Sequence, residues 1–182
     1  MSIKESKIKQ VIREYLLDEG LLREKINDPK LDFGFQFIFP PGKDQLGRQI
    51  GRNMVVIRPK NKDLLIVSLG LKISEPHIKA LNSLESEKRM SFFIELRKSF
   101  LLKDTFYRID IKNFRYEISD QVFLDDAGVI SKKSFFKSIR KVFNCAAYSN
   151  IILGEHCAGK IKPDDFMKSK DFPDGSDFSL YS

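Results

Sequence analysis

Leu31, Phe33, Phe35, Phe37 and Phe39 occupy every second position of a nine-residue stretch, with Asp32, Gly34, Gln36 and Ile38 between them. Successive side chains of an extended chain point to opposite faces, so a period of two demands a strand whose aromatic face is covered by something else. The stretch is punctuated on both sides, by Asn27-Asp28-Pro29 before it and Pro40-Pro41-Gly42 after it, residues that favour turns and end ladders. One such strand cannot stand alone, and the rest of the chain is read as what pairs with it and what covers it.

Ser2 with Glu5 has the spacing of a capping box, and Ile8, Val11, Ile12, Tyr15 and Leu16 then recur at three and four, ahead of Gly20. This predicts a helix with one buried stripe and a left-handed terminator. Met54 to Ile57 reads as the heart of a second strand ending at Pro59, and Leu64 to Leu71 as a third, apolar on both faces and therefore expected at the middle of a sheet. Ser74-Glu75-Pro76 opens the next helical region, since proline costs nothing in a first turn. A second start at Ser83 or Ser86 splits it, leaving Phe92, Phe93, Leu96 and Phe100 as the buried side of the longer piece, which ends near Asp104. Tyr107, Ile109 and Ile111 alternate again, and Ile118, Val122 and Leu124 mark a further strand. Ser131 caps a last helix with the stripe Phe135, Ile139, Val142, Phe143 and Ala146. The expected class is α+β, an antiparallel β-sheet flanked by helices in the order α-β-β-β-α-β-β-α.

With 182 residues, 42% of them hydrophobic and 16 of them Phe, the chain has material for one sizeable core. We read residues 1–158 as a single α+β domain and 159–182 as a flexible, disordered C-terminal tail, because the latter segment is dominated by Lys, Asp, Ser, Gly and Pro and cannot offset its ordering entropy by burial. Its four Lys and five Asp leave it at −1. It repeats Asp-Phe at 165–166, 171–172 and 177–178, which makes Phe166, Phe172 and Phe178 candidate anchors onto a groove. No apolar run approaches the length of a membrane span and the first residues are too polar for a signal peptide. Cys145 and Cys157 show neither a CxxC nor a partner pair, so no disulfide framework or zinc site is indicated. The expectation is a cytoplasmic protein that does not engage a membrane.

The net charge of +7 suits nucleic acid or an acidic surface, but interspersed signs weaken the inference. Candidate nucleic-acid contacts are Arg48, Arg52 and Arg58, with Lys133, Lys137, Arg140 and Lys141 at helical spacing. Phe106, Tyr107 and Tyr116 are available to stack bases, and equally to serve the core or sheet surface. The loop from Gly42 to Arg52 has three glycines and three basic residues but lacks the spacing of a phosphate-binding loop, and a strand follows it where a helix is required. A hairpin loop accounts for it better. His77 is read as a surface or capping residue and His156 as part of a segment losing order, and neither has a ligand partner one turn away. Asp120, Asp125 and Asp126 are explained by turn chemistry more simply than by a cation. No catalytic residue, metal site or cofactor is indicated, and the chain is read as a protein that is not an enzyme.

The element order resembles the type III secretion chaperone-like fold. More closely, Asp28-Pro29, Asp32-Phe33, the run Ser68 to Ile73 (SLGLKI), His77-Ile78-Lys79-Ala80-Leu81, Leu84, Lys88-Arg89 and Ile139-Arg140-Lys141-Val142 resemble a family of small, mainly archaeal proteins of unknown function with that fold. The likeness covers residues 1 to about 153 and leaves the tail outside. It implies a helix-flanked sheet and a homodimer, and it carries over no activity. The function expected on these grounds is a protein-binding module, chaperone-like or adaptor-like, whose partners are a second copy and an unknown protein; the alternative is a nucleic-acid-associated module using the basic residues above.

Overall fold

Four helices and six strands follow one another as α1 (Ile3–Asp18), β1 (Leu22–Ile26), β2 (Leu31–Phe39), β3 (Arg52–Pro59), β4 (Leu64–Lys72), α2 (Glu75–Asn82), α3 (Ser86–Leu102), β5 (Phe106–Asp110), β6 (Arg115–Phe123) and α4 (Lys132–His156). This is a computed structural model, describing residues 3–47 and 49–161, with side chains from Lys7 onward. The strands form one antiparallel sheet in the order β1-β2-β3-β4-β6-β5, so β4 lies inside it, as its two apolar faces require. The α+β class stands, with one strand more than the periodicity shows: β1 is Leu-Arg-Glu-Lys-Ile, exposed at its three central residues. An outer strand with a solvated face needs no apolar alternation. The helical region after β4 divides at Ser83, whose Oγ turns back onto the Ala80 carbonyl at 2.7 Å.

The chain divides into two compact units, Met1–Leu69 with Ser119–Phe143 and Gly70–Ile118 with Asn144–Ser182, so that β4, β6 and α4 each contribute to both. In the first unit, the Phe33, Phe35 and Phe37 side chains of β2 are buried with Met54 and Val56 of β3, which pair with β2 in antiparallel register (Phe37 opposite Met54). Ile8, Ile12 and Leu16 of α1 are buried in the same unit. At the end of α1 Gly20 sits at φ +65° and Leu21 N–H donates to the Leu16 carbonyl at 2.9 Å, the left-handed termination expected for glycine. Phe135, Ile139 and Val142 supply the α4 contribution, and Ser131 Oγ accepts the Ser134 N–H at the start of that helix. Phe39 meets the Phe143 ring edge-on at 5.4 Å.

The second unit is built around Phe92, Phe93, Leu96 and Phe100 of α3, all at most 1% exposed. Phe100 lies against both Tyr107 and Tyr116, and Tyr116 Oη shares a 2.8 Å hydrogen bond with Ser149 Oγ on α4. The buried stripe of α4 continues past Ala146 through Ser149, Ile152 and Leu153, so the helix runs to His156.

The glycine-rich connection between β2 and β3 extends that hairpin. Lys43 and Gln49 form an antiparallel bridge, Gly47 N–H closes a turn on the Asp44 carbonyl at 2.9 Å, and Gln49 Nε2 donates to the Gly42 carbonyl at 2.9 Å. Gly42 and Gly47 adopt positive φ, at +139° and +75°, which supplies the turn. Gly51 has a different reason: a Cβ there would run into the Pro40 carbonyl oxygen and Ile38 Cγ2. Gly51→Ala should therefore lower the unfolding free energy by about 2–3 kcal/mol. Gly70→Ala, where a Cβ meets nothing within 4 Å, should change it by less than about 0.5 kcal/mol. Urea titrations of both variants check this, and equal midpoints would show that the approach at Gly51 is not close.

Candidate binding surface

The basic residues singled out above part company in the structure. Arg58 is 8% exposed and its guanidinium is committed, Nη1 to Asp32 at 3.1 Å and Nε to the Lys62 carbonyl at 3.2 Å, with Asp63 at 3.5 Å. It fastens the β3–β4 turn to β2 and is withdrawn from any nucleic-acid contact, because a buried, paired guanidinium offers no donor to a phosphate. Lys141 Nζ is bound to Asp120 at 2.9 Å, and Arg52 is half-buried on β3. Arg48 lies outside the described residues. What remains on α4 is Lys133, Lys137 and Arg140, all exposed and on one face by the 3.6-residue period. Their neighbour Lys132 is held by Glu19 at 2.8 Å and Asp18 at 3.6 Å. The hydrogen bond that Lys132 donates to the Glu19 carboxylate raises its pKa, against a smaller desolvation effect.

The other sequence candidates serve the fold. His77 is fully buried, a correction to its surface reading, and its Nδ1 lies 2.8 Å from Ser74 Oγ. His156 is likewise no part of a fraying segment: it closes α4 with Nε2 2.8 Å from Glu95 Oε2, and its ring stands edge-on to Phe92 at 5.6 Å. Cys145 and Cys157 are buried. Asp125 accepts the Val129 N–H at 2.7 Å in a turn, and among the described residues no group of three or more His, Cys, Asp or Glu is placed to hold a metal ion. Asp110 accepts from Asn113 and Arg115, and the Asn113 side-chain hydrogen bond is the main reason its carboxyl titrates below the usual range. A surface depression of about 680 Å³ lies between the β1–β2 and β3–β4 turns, and its two carboxylates each accept a hydrogen bond from the protein, Asp28 from the Lys30 N–H and Asp32 from Arg58. Among the described residues no helix is long and apolar enough to cross a membrane. The tail candidates Phe166, Phe172 and Phe178 lie outside the described residues.

The surface that stands out was not among the candidates. On α3, Met90, Ile94 and Leu101 are 45%, 43% and 66% exposed, and their spacing of four and seven puts them on one face, opposite Phe92, Leu96 and Phe100. Leu102 is 85% exposed, and after the three-residue connection Phe106 opens β5 at 57%. Tyr107 turns inward to Phe100 and Tyr116 is buried, so of the three aromatics considered for stacking only Phe106 is exposed. β5 ends the sheet, and the outer side of an end strand presents unpaired backbone N–H and C=O groups. Arg97, Lys98, Lys103 and Arg108 are exposed in the same stretch of chain, with no ion-pair partner among the described residues. The signal was present in the sequence as a second apolar spacing in α3, outside the buried stripe.

The profile of the family described as "Uncharacterized conserved protein (DUF2299)" matches residues 8–153. The chain belongs to this family. No curated protein matches this DUF2299 chain significantly. Among solved structures, an uncharacterized protein from Methanothermobacter thermautotrophicus superposes with a TM-score of 0.71 at 21% identity, over 82% of this chain and 99% of that one. That likeness shows a shared fold. YbjN from E. coli matches at a TM-score of 0.41 and 10% identity, over 85% of this chain and 96% of that one, too loosely to carry an argument. The DUF2299 match agrees with the sequence resemblance in its extent and in naming a family without a known activity.

Proposed function

We propose that this DUF2299 chain is a cytosolic protein-binding module without enzymatic activity, chaperone-like or adaptor-like, that takes an extended protein segment along the outer side of β5. The observation that carries the reading is the exposure of three large apolar residues, Leu101, Leu102 and Phe106, within six positions of one another at the corner where α3 runs into β5. Exposed large apolar side chains close together in the chain are the material of a contact site, and an end strand beside them adds directional backbone hydrogen bonds to a segment laid alongside it. The 16 Phe residues do not support the reading as a group, since Phe33, Phe35, Phe37, Phe92, Phe93, Phe100 and Phe135 are core. A nucleic-acid module has the three exposed cations of α4 in its favour, and three phosphate contacts give weak, steeply salt-dependent binding.

The test is affinity purification of the full tagged chain from its native lysate after nuclease treatment, beside Leu102→Ser/Phe106→Ser and Lys133→Glu/Lys137→Glu. The expected result is a stoichiometric protein that the first variant loses at least tenfold and the second keeps. Retention of that protein by Leu102→Ser/Phe106→Ser would reject the corner as the site. Nuclease-sensitive material lost with Lys133→Glu/Lys137→Glu would put the nucleic-acid reading in its place.

A further inference from the structure

We propose that the resident occupant of the α3–β5 corner is the chain's own C-terminal segment, docking its Asp-Phe pairs there until a partner displaces it; this rests on the reading that the corner takes a protein segment. Three observations support it. The first is where the described chain ends. His156 closes α4 against Glu95 and Phe92 in the middle of α3, so the segment starts beside the helix that leads to the corner. From Glu95 to Leu102 is about 10 Å along the helix axis at ~1.5 Å per residue; the chain passes through turns over 157–160, where Lys160 N–H donates to the Cys157 carbonyl at 3.0 Å, and the five residues from Ile161 to Phe166 reach up to about 17 Å when extended. The first Asp-Phe pair needs only part of that length.

The second observation is charge. Arg97, Lys98, Lys103 and Arg108 are exposed in the stretch that holds Leu101, Leu102 and Phe106, where Asp104 is the single carboxylate between residues 97 and 108. In the C-terminal segment Asp165, Asp171 and Asp177 each stand immediately before Phe166, Phe172 and Phe178. Each repeat thus supplies one aromatic ring for an apolar contact and one carboxylate for a guanidinium or ammonium group, the same pairing the corner offers in reverse. The third is tethering. A joined segment meets its site at an effective concentration on the order of millimolar, so a contact too weak to form between separate molecules suffices within one. Three equivalent pairs raise the occupancy further, since any of them can fill the corner.

The experiment compares ¹⁵N NMR spectra of the full chain with those of Phe166→Ala/Phe172→Ala/Phe178→Ala. The expected result is a set of amide shifts concentrated at residues 97–108, together with a several-fold rise in capture of the protein partner. No change at 97–108 would overturn the proposal. A second variant, Arg97→Glu/Lys98→Glu, approaches the contact from the other side and should shift the amides of residues 162–182; unchanged signals there would also overturn it. Raising salt should reproduce these shifts, because exposed charge pairs are screened within about 10 Å at 0.1 M. Vesicles containing phosphatidylglycerol that perturb 97–108 equally with and without the three Phe would assign the corner to a lipid surface and reject the tail. The two proposals fail separately: a tail contact that is absent while Leu102→Ser/Phe106→Ser still loses its partner removes this inference alone, and a tail contact that persists while that variant keeps its partner removes the adaptor reading alone.

Discussion

Replacing Phe37 by Ala is expected to lower the unfolding free energy by about 3–5 kcal/mol, the cost of deleting a buried aromatic side chain and leaving its cavity. Phe37 has no exposed surface, stands between Leu22 of β1 and Met54 of β3 in register, and shares its burial with Phe33 and Phe35. A loss of that size is a large part of the roughly 5–15 kcal/mol that holds a domain together, so the variant should unfold at much lower urea with a similar m-value. Phe37→Leu keeps much of the volume and should cost less than half as much. A loss under about 1 kcal/mol in the alanine variant would mean that the aromatic face of β2 is not where the first unit's stability resides.

Arg58→Met should cost about 3 kcal/mol for a different reason. The substitution keeps an apolar stem of similar length but leaves the Asp32 carboxylate, 13% exposed, without its cation, and an uncompensated charge near the interior is more costly than a missing pair. The Lys62 carbonyl loses its donor at the same time. Adding Asp32→Asn to Arg58→Met should recover a good part of the loss, since the pair is coupled. Arg58→Lys should recover little, because an ammonium group cannot reproduce the fork that reaches Asp32, Asp63 and the Lys62 carbonyl together. Thermal and urea unfolding of the four chains measure this, and a double variant no better than Arg58→Met would show that the ion pair is not what Arg58 contributes.

Where local pattern and tertiary burial coincide, the sequence reading was close. β2 spans Leu31–Phe39 because an aromatic period of two has a single interpretation, and Gly20 ends α1 because no other residue takes a left-handed turn so cheaply. The misses are where the deciding neighbour is remote in sequence. β1 is invisible as periodicity because a solvated outer strand carries Arg, Glu and Lys at its centre. His77 looks like a surface residue until the rest of the second unit covers it. Arg58 looks like a free cation until Asp32, 26 residues earlier, is found against it. The corner at Leu101, Leu102 and Phe106 is hidden in the sequence for a like reason: α3 carries apolar residues on two sides, and only the neighbours that bury Phe92, Leu96 and Phe100 show which side is left exposed.

Both cysteines of the chain, Cys145 and Cys157, fall in the second unit, and both are buried. Burial holds each thiol away from solvent reagents until its surroundings open, and the rate at which it reacts then reports that opening. The protein therefore comes with two chemical clocks already wired into one half and none in the other. Their ticking under mild denaturant would tell whether the helical half loosens ahead of the aromatic sheet or together with it, without a label or a substitution.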